Sequence, residues 1–309
     1  MKPQMFSRVA MAENRQAWPF LVLGGVFAAY AMLALLWLIS GTAHAAEKPR
    51  VVAIDGSISE IVYALGKGDL MVGRDITTTY PEEAAKLPSV GYMRQLSAEG
   101  ILSLKPTLVL ATKDAKPQNV LTRLQDAGVH VEIIENVYTP EGVEAKIEQI
   151  AKVLDAQDAG KKLAEQVRQS VNQAKVFAEN AIQQQGKSAK AIFVLNVRGG
   201  NMMVAGKHSR ADKMMQLAGI ENPAAEQFNG YKPLTAEAAI QYNPDYLLTM
   251  QHGVGSAGGK EAILNTPAIR MTQAGKNGRL LVMDDSFLTF GPRLGEAIES
   301  LVKQVYVAN

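Results

Sequence analysis

The sequence predicts an α/β protein of two similar lobes joined by a long helix, and three observations predict it. β-branched runs alternate with helical patterns through residues 51–134 and again from 191 onward, the pattern of strands covered by helices. A 15-residue segment recurs 138 residues later in the chain. Between the two copies, Glu141 to Gln185 is rich in Ala, Gln, Glu and Lys and poor in strand formers.

Taken in order, Val51-Val52-Ala53-Ile54 reads as a buried strand, followed by a turn at Asp55-Gly56 and a helix from Ser57 to Leu65. Ser57 with Glu60 three residues on has the form of a capping box, and Gly66 is the expected stop. Leu108 to Ala111 and Val131 to Ile134 are further strands, with a helix around Val120 to Ala127 between them, so the first lobe should carry a largely parallel sheet. In the long helical stretch, Leu163, Val167, Val171, Ala174 and Ala178 mark one apolar face, and Val153 to Ala156 marks a break. Ala191 to Leu195 opens the second lobe as a strand, and Asp212 to Ala218 is a helix closed by Gly219.

The repeat aligns Leu96-Ser97-Ala98-Glu99 through Pro106 to Leu110 with Leu234-Thr235-Ala236-Glu237 through Pro244 to Leu248. Each copy supplies a hydroxyl to cap a short helix, a proline after it, and then a strand. Gly91-Tyr92 precedes the first copy and Gly230-Tyr231 the second, and the start at Ser57 is echoed by Ser209-Arg210-Ala211-Asp212. Three features in the same order argue for two lobes built on one plan. Two such lobes enclose a cleft, the usual place for a small ligand.

Composition narrows the function. Lys+Arg 32 stands against Asp+Glu 30, which gives no cationic footprint for nucleic acid. There is no cysteine, so disulfides, thiolate metal sites and cysteine catalysis are excluded. An apolar run from Trp18 to Ile39 follows a basic start and ends at the small-x-small site Ala43-His44-Ala45, the form of an export signal. The competing reading is an uncleaved membrane anchor, because Phe20 to Ile39 is long enough to span a bilayer. Either way residues 47–309 end outside the cytoplasm, and removal of residues 1–45 leaves 29 basic against 29 acidic residues. The expected division is a signal segment at 1–45, an N-terminal lobe at 46–154, a connecting helix at 155–186 and a C-terminal lobe at 187–309. No Ser-His-Asp set, zinc-type histidine cluster or Gly-x-Gly-x-x-Gly loop is evident, and Arg198-Gly199-Gly200-Asn201 reads as a turn, so no enzyme is expected.

The segment Gly91-Tyr92-Met93-Arg94-Gln95-Leu96-Ser97-Ala98-Glu99-Gly100-Ile101-Leu102 resembles the equivalent segment of periplasmic haem-binding proteins of bacterial haem-uptake ABC transporters. Gly230-Tyr231-Lys232-Pro233-Leu234 and Phe290-Gly291-Pro292-Arg293 resemble them too, and the similarity covers residues 50–309. The strand-turn-helix starts and Lys105-Pro106-Thr107-Leu108-Val109-Leu110 belong to the broader family that also takes siderophores and vitamin B12, and the Tyr-x-Arg element narrows it to haem. The resemblance implies two Rossmann-like lobes bridged by a rigid helix, limited closure on binding, and a periplasmic monomer. Its ligand would be ferric haem b, carried as cargo to the permease dimer of an inner-membrane ABC importer; the alternative is a siderophore or vitamin B12 carrier of the same fold.

The resemblance puts the iron ligand on Tyr92. A tyrosine has a pKa near 10, so ferric iron must stabilise the phenolate, and the guanidinium of Arg94 two residues on would add to it. Tyr231 is expected either to stack on the porphyrin or to be core. Lys232, Arg198 and Arg293, each in a Gly-containing turn, are candidates for the propionates, with a solvated cation as the alternative for each. His208, before the second capped helix, and His252 are candidate cleft contacts; the family often has arginine close to His252, and this chain departs from that. His130 reads as structural. Glu99 and Glu237, matched in the two copies, either favour their helix dipoles or, as the resemblance implies, dock one per lobe onto permease arginines.

Overall fold

The computed structural model describes residues 48–307, and the export signal expected at 1–45 lies outside them. From Pro49 onward the chain is one compact unit. Its first sheet has four parallel strands in the order β2-β1-β3-β4, namely β1 (Val51–Ile54), β2 (Met71–Arg74), β3 (Leu108–Thr112) and β4 (His130–Ile134). Helices α1 (Gly56–Ala64), α2 (Glu82–Ala85), α3 (Ala98–Leu102) and α4 (Gln118–Asp126) connect them. Every residue of β1 and β3 is buried, which is why these strands read as continuous apolar runs and not as alternations.

After β4 come α5 (Pro140–Val153) and then α6 (Gln157–Gln185), a 29-residue helix. The break falls where the sequence places it, with Asp155 at φ 50. The buried face of α6 is Gly160, Ala164, Val167, Val171, Ala174, Ala178 and Ala181. Of the expected positions only Leu163 is partly buried, and its neighbour Ala164 takes that place on the face. Small residues let neighbours approach: Gly160 lies against Ala151 of α5, and Gly295 at the start of α12 (Leu294–Val302) lies against Ser170. Burying Val167 and Val171 contributes roughly 1.5–3 kcal/mol each, so α6 is held by both helices packed on it.

The second sheet has the order β7-β6-β5-β8-β9, with β5 (Ala191–Arg198), β6 (Asn201–Ala205), β7 (Tyr231–Leu234), β8 (Tyr246–Met250) and β9 (Leu280–Met283). It is mixed: β5, β8 and β9 run parallel, whereas β6 and β7 are antiparallel additions. The reversal is made by Gly199 and Gly200, at φ 56 and 79, the two left-handed residues a tight hairpin needs. Helices α7 (Arg210–Leu217), α8 (Ala236–Tyr242), α9 (Gln251–Ala257), α10 (Lys260–Leu264) and α11 (Gln273–Lys276) complete the lobe.

The internal repeat is reproduced in its caps, its turns and the backbone hydrogen bonds that lead into the strands. Ser97 and Thr235 cap α3 and α8, accepting from Gly100 N and Ala238 N. Lys105 and Asn243, the residues before the two prolines, both adopt left-handed backbone, at φ 48 and 40. The Arg50 carbonyl accepts from Thr107 N and Leu108 N, as the Lys190 carbonyl accepts from Asp245 N and Tyr246 N. The capping box expected at Ser57 is not formed. Asp55 is the N-cap of α1, with Oδ1 accepting from Ser57 N at 2.9 Å, and Glu60 turns away to a partner in the other lobe. Among the described residues no helix is long and apolar enough to cross a membrane.

Candidate functional site

In parallel sheets, ligands gather at the carboxyl ends of the strands, and here those ends in the two lobes face each other. From the first lobe come the loop after β1 with Asp55, the loop after β3 with Asp114, and the loop after β4 with Asn136 and Tyr138. From the second come the start of α7 with Arg210 and the turn after β9 with Phe290 and Arg293. Lys146 Nζ on α5 donates to the Phe290 carbonyl at 3.2 Å, and Arg210 reaches Asp114 at 3.3 Å and Asp55 at 3.6 Å. The lobes are therefore in direct contact at the floor of the cleft.

Tyr92 stands on the first-lobe wall. Gly91, at φ 91, takes a turn that residues with a Cβ resist, and its carbonyl accepts from Ile76 N at 2.9 Å. The Tyr92 carbonyl then accepts from Gln95 N at 2.7 Å, closing a turn with Met93 and Arg94 at its centre. Buried Met93 anchors it, its carbonyl accepting from Lys116 N, while Leu96 N donates to the Lys116 carbonyl. The backbone of the turn is fixed on both sides, yet the Tyr92 side of it is open: Tyr92 is 38% exposed. Arg94 is exposed, and its charge acts on both Asp114 and Tyr231.

Tyr231 begins β7 after Gly230, at φ 73. Burial pushes its phenol pKa up, against the charges of Arg210 and Arg94 and hydrogen bonds from the Ala211 backbone and the Ser209 side chain. It is partly buried against the core and sits at the N-terminus of α7, a more committed position than a ring free to stack. The remaining candidates are spread out. Arg198 is exposed at the tip of the β5–β6 hairpin, and Lys232 is exposed on β7 with its ammonium 5.7 Å from the Phe228 ring centroid. His208 is exposed, at φ 63, with its backbone N donating to Asp212 Oδ2; His252 is exposed in the first turn of α9. Arg293 is committed: it grips Glu60 with bonds of 2.8 and 3.4 Å and lies 3.8 Å from the centroid of Tyr80. Glu99 and Glu237 are exposed in the first turns of α3 and α8.

The structure adds residues the sequence reading passed over. Arg210 is sandwiched between Asp55 and Asp114, with its guanidinium 4.7 Å from the Tyr138 ring centroid; burial opposes its charge, but Asp55, Tyr138 and Asp114 outweigh burial and keep it protonated. Burial likewise pushes Asp114 up, but the hydrogen bond from Tyr138 Oη at 2.8 Å and the Arg210 charge hold it below the usual carboxylate range. Tyr138 itself is pushed up to about 12, mainly by burial. Lys146 is 1% exposed and donates to Ser57 Oγ at 2.9 Å and Asn136 Oδ1 at 2.6 Å; burial lowers its pKa to about 8. Its signal was present, since a lysine among Val143, Ile147 and Ile150 interrupts the buried stripe of α5. Arg210 carried no such sign, because its partners come from the other lobe.

Two cavities flank the lobe junction, one of about 230 Å³ beside Glu60, Phe290 and Arg293, the other of about 450 Å³ beside Tyr138, Lys175 and Lys213. Tyr92 and Tyr231 line neither. Among the described residues no cluster of three or more His, Asp or Glu side chains is arranged to hold a metal ion. The first lobe thus presents an exposed phenol at Tyr92, and the charge of Arg94 in the same turn acts on Tyr231 of the second lobe.

Comparison with known proteins agrees with this architecture. The periplasmic binding protein family matches residues 51–287. An uncharacterized ABC transporter substrate-binding lipoprotein of Bacillus subtilis, YvrC, is 30% identical over 263 residues, covering 84% of this chain and 81% of its own. The vitamin B12-binding protein of Yersinia pseudotuberculosis is 27% identical over 218 residues, 71% of this chain and 74% of its own. The solved structure of the periplasmic heme-binding protein BhuT in complex with two hemes superposes with a TM-score of 0.79 at 38% identity, over 83% of this chain and 97% of that one. The chain belongs to the periplasmic binding protein family, as the non-enzymatic, substrate-binding component of an ABC transporter.

Proposed function

We propose that this protein captures ferric haem outside the cytoplasm and delivers it to an ABC-type haem importer, with Tyr92 as the axial ligand to the iron. The observation that carries the reading is the Tyr92 turn: an exposed tyrosine on backbone pinned by Gly91, Met93 and Leu96, with Arg94 in the same turn. Bound ferric iron favours the phenolate over the phenol, and Arg94 adds positive charge to the wall that carries it. Similarity to a protein named as heme-binding, at 38% identity, supports haem as the cargo. Lys232 and Arg198 are exposed cations for the propionates, and His208 and His252, also exposed, are the candidate cleft contacts, while Arg293 is engaged by Glu60. Glu99 and Glu237 would dock the two lobes onto the permease dimer, and residues 1–45 would direct export to the periplasm. The protein would act as a monomer, with lobes at 46–154 and 187–309 and the connecting helix at 155–186.

Similarity to a vitamin B12-binding protein favours a second reading, a corrinoid carrier. Titration with hemin and with cyanocobalamin separates the two. The haem reading expects a Soret shift and the charge-transfer bands of tyrosinate ligation with hemin, both lost in Tyr92→Ala, and no binding of cyanocobalamin. Unchanged hemin affinity and spectrum in Tyr92→Ala would remove Tyr92 as the ligand.

A further inference from the structure

The long helix is not the sole connection between the lobes. Among the described residues three cationic side chains cross the junction, and each reaches a buried partner. Arg210, the first residue of α7, enters the first lobe between Asp55 and Asp114. Lys146 on α5 donates to the carbonyl of Phe290 in the second lobe while held by Ser57 and Asn136 of the first. Arg293, leading into α12, takes Glu60 of α1 in a two-pronged bond.

The side chains of Asp55 and Glu60 are only 4% and 5% exposed. Separating the lobes would strip these buried carboxylates of their counter-charges, a cost that exposed pairs do not carry. Asp55 Oδ2 sharpens the point: it is buried, has no hydrogen bond, and has its counter-charge in Arg210 3.6 Å away. Backbone strain gathers at the same place. Asp55 at φ 117, Phe290 at φ 48 and His208 at φ 63, two residues before Arg210, are non-glycine residues in left-handed conformations that the surroundings must hold. The long helix α6 itself meets the lobes through two left-handed residues, Asp155 at φ 50 before it and Gly186 at φ 75 after it.

We infer that these three cross-lobe ties, and not the long helix alone, fix the aperture of the cleft before ligand arrives, and that Arg210 is the positioning residue at its floor. Arg210 acts through Asp55 and Asp114 to set the spacing of the walls that carry Tyr92 and Tyr231. The inference concerns the lobe junction and stands apart from the identity of the ligand.

The chain has no cysteine, so spin labels at Gln125→Cys on α4 and Lys276→Cys on α11, both exposed, report the interlobe distance alone. The labelled, ligand-free protein is expected to give a single narrow distance that hemin leaves unchanged. Arg210→Gln is expected to widen the ligand-free distribution at least twofold, Arg210→Lys to restore part of the narrowing, and hemin affinity of Arg210→Gln to fall by roughly tenfold, the factor imposed when about one molecule in ten holds the competent aperture. A distribution as narrow in folded Arg210→Gln as in the parent overturns the inference; narrow with weakened hemin binding would make Arg210 a ligand counter-charge instead. Should Arg210→Gln fail to fold, Arg293→Lys, which loses the two-pronged grip on Glu60, gives the same reading: broadening supports the ties and an unchanged width overturns them. Because the width is read without ligand, failure of hemin to bind leaves this test intact.

Discussion

The two copies of the repeat are alike in backbone and unlike in their tyrosines. Gly91 and Gly230 share left-handed backbone, Ser97 and Thr235 share a capping role, and the paired carbonyls of Arg50 and Lys190 accept the same pair of amides. Yet Tyr92 is 38% exposed beside a rigid turn, whereas Tyr231 is half-buried, with its phenol facing Arg210 and the start of α7. One plan thus keeps the scaffold in both lobes and frees the aromatic side chain in one of them. On the proposed function, a ligand that needs an oxygen donor would meet it on the first wall.

The sharpest way to break that contrast is to remove each tyrosine in turn. Tyr92→Ala is expected to weaken hemin binding by at least roughly 100-fold, the upper range for losing even an outer-shell partner of a bound metal. Tyr231→Phe keeps the ring, loses only the hydroxyl, and should cost less than about tenfold, near the scale of one hydrogen bond. Equilibrium hemin titration followed in the Soret region measures both. A larger effect at Tyr231 would reverse the assignment of the two walls.

The acids offer the opposite expectation, equality. Glu99 and Glu237 are both exposed, and both lie in the first turn of their helices. If they dock a symmetric permease, Glu99→Ala and Glu237→Ala should each lower haem transfer to the reconstituted importer by a similar factor, roughly fivefold for about 1 kcal/mol per exposed ion pair. Hemin affinity should stay at the parent value. A silent substitution on one side beside a strong effect on the other would rule out pseudosymmetric docking.

What the sequence made legible follows the range of the interaction. Caps, turn glycines and the proline-strand joins are local, so Ser97, Thr235, Gly91 and the break at Asp155 could all be read before any coordinates. The apolar face of α6 was legible to within one residue because helical periodicity is local too. Asp55 displaced Ser57 as the N-cap because Glu60, the second half of the expected box, is drawn to Arg293, 233 residues away. Arg293 was for the same reason read as a free cation of the cleft. The antiparallel edge of the second sheet turned on Gly199-Gly200, read as a turn without the hairpin it makes. Arg210 escaped because nothing in the local sequence says that its partners lie in the other lobe, whereas Lys146 left a trace, a lysine set in the buried stripe of α5.

The smallest effect tests whether the repeat is equivalent down to single residues. Lys105 and Asn243 occupy the same left-handed position before proline, at φ 48 and 40. Lysine is strained there, while asparagine tolerates it. Lys105 is exposed, and its backbone bonds, N to the Leu102 carbonyl and O from Arg50 Nε, survive loss of the side chain. Lys105→Gly should therefore relieve strain of about 1 kcal/mol, offset in part by the added freedom of glycine in the unfolded chain, for a net gain near ~0.5 kcal/mol. Asn243→Gly has less strain to relieve, and it removes the Oδ1 that accepts from Gln273 N at 2.9 Å, so it should lose about 1 kcal/mol. Urea denaturation midpoints should thus move in opposite directions. Movement in the same direction would mean that the two turns, equal in backbone angle, are equal in energy as well, and that the lobes differ only in the side chains turned toward the ligand.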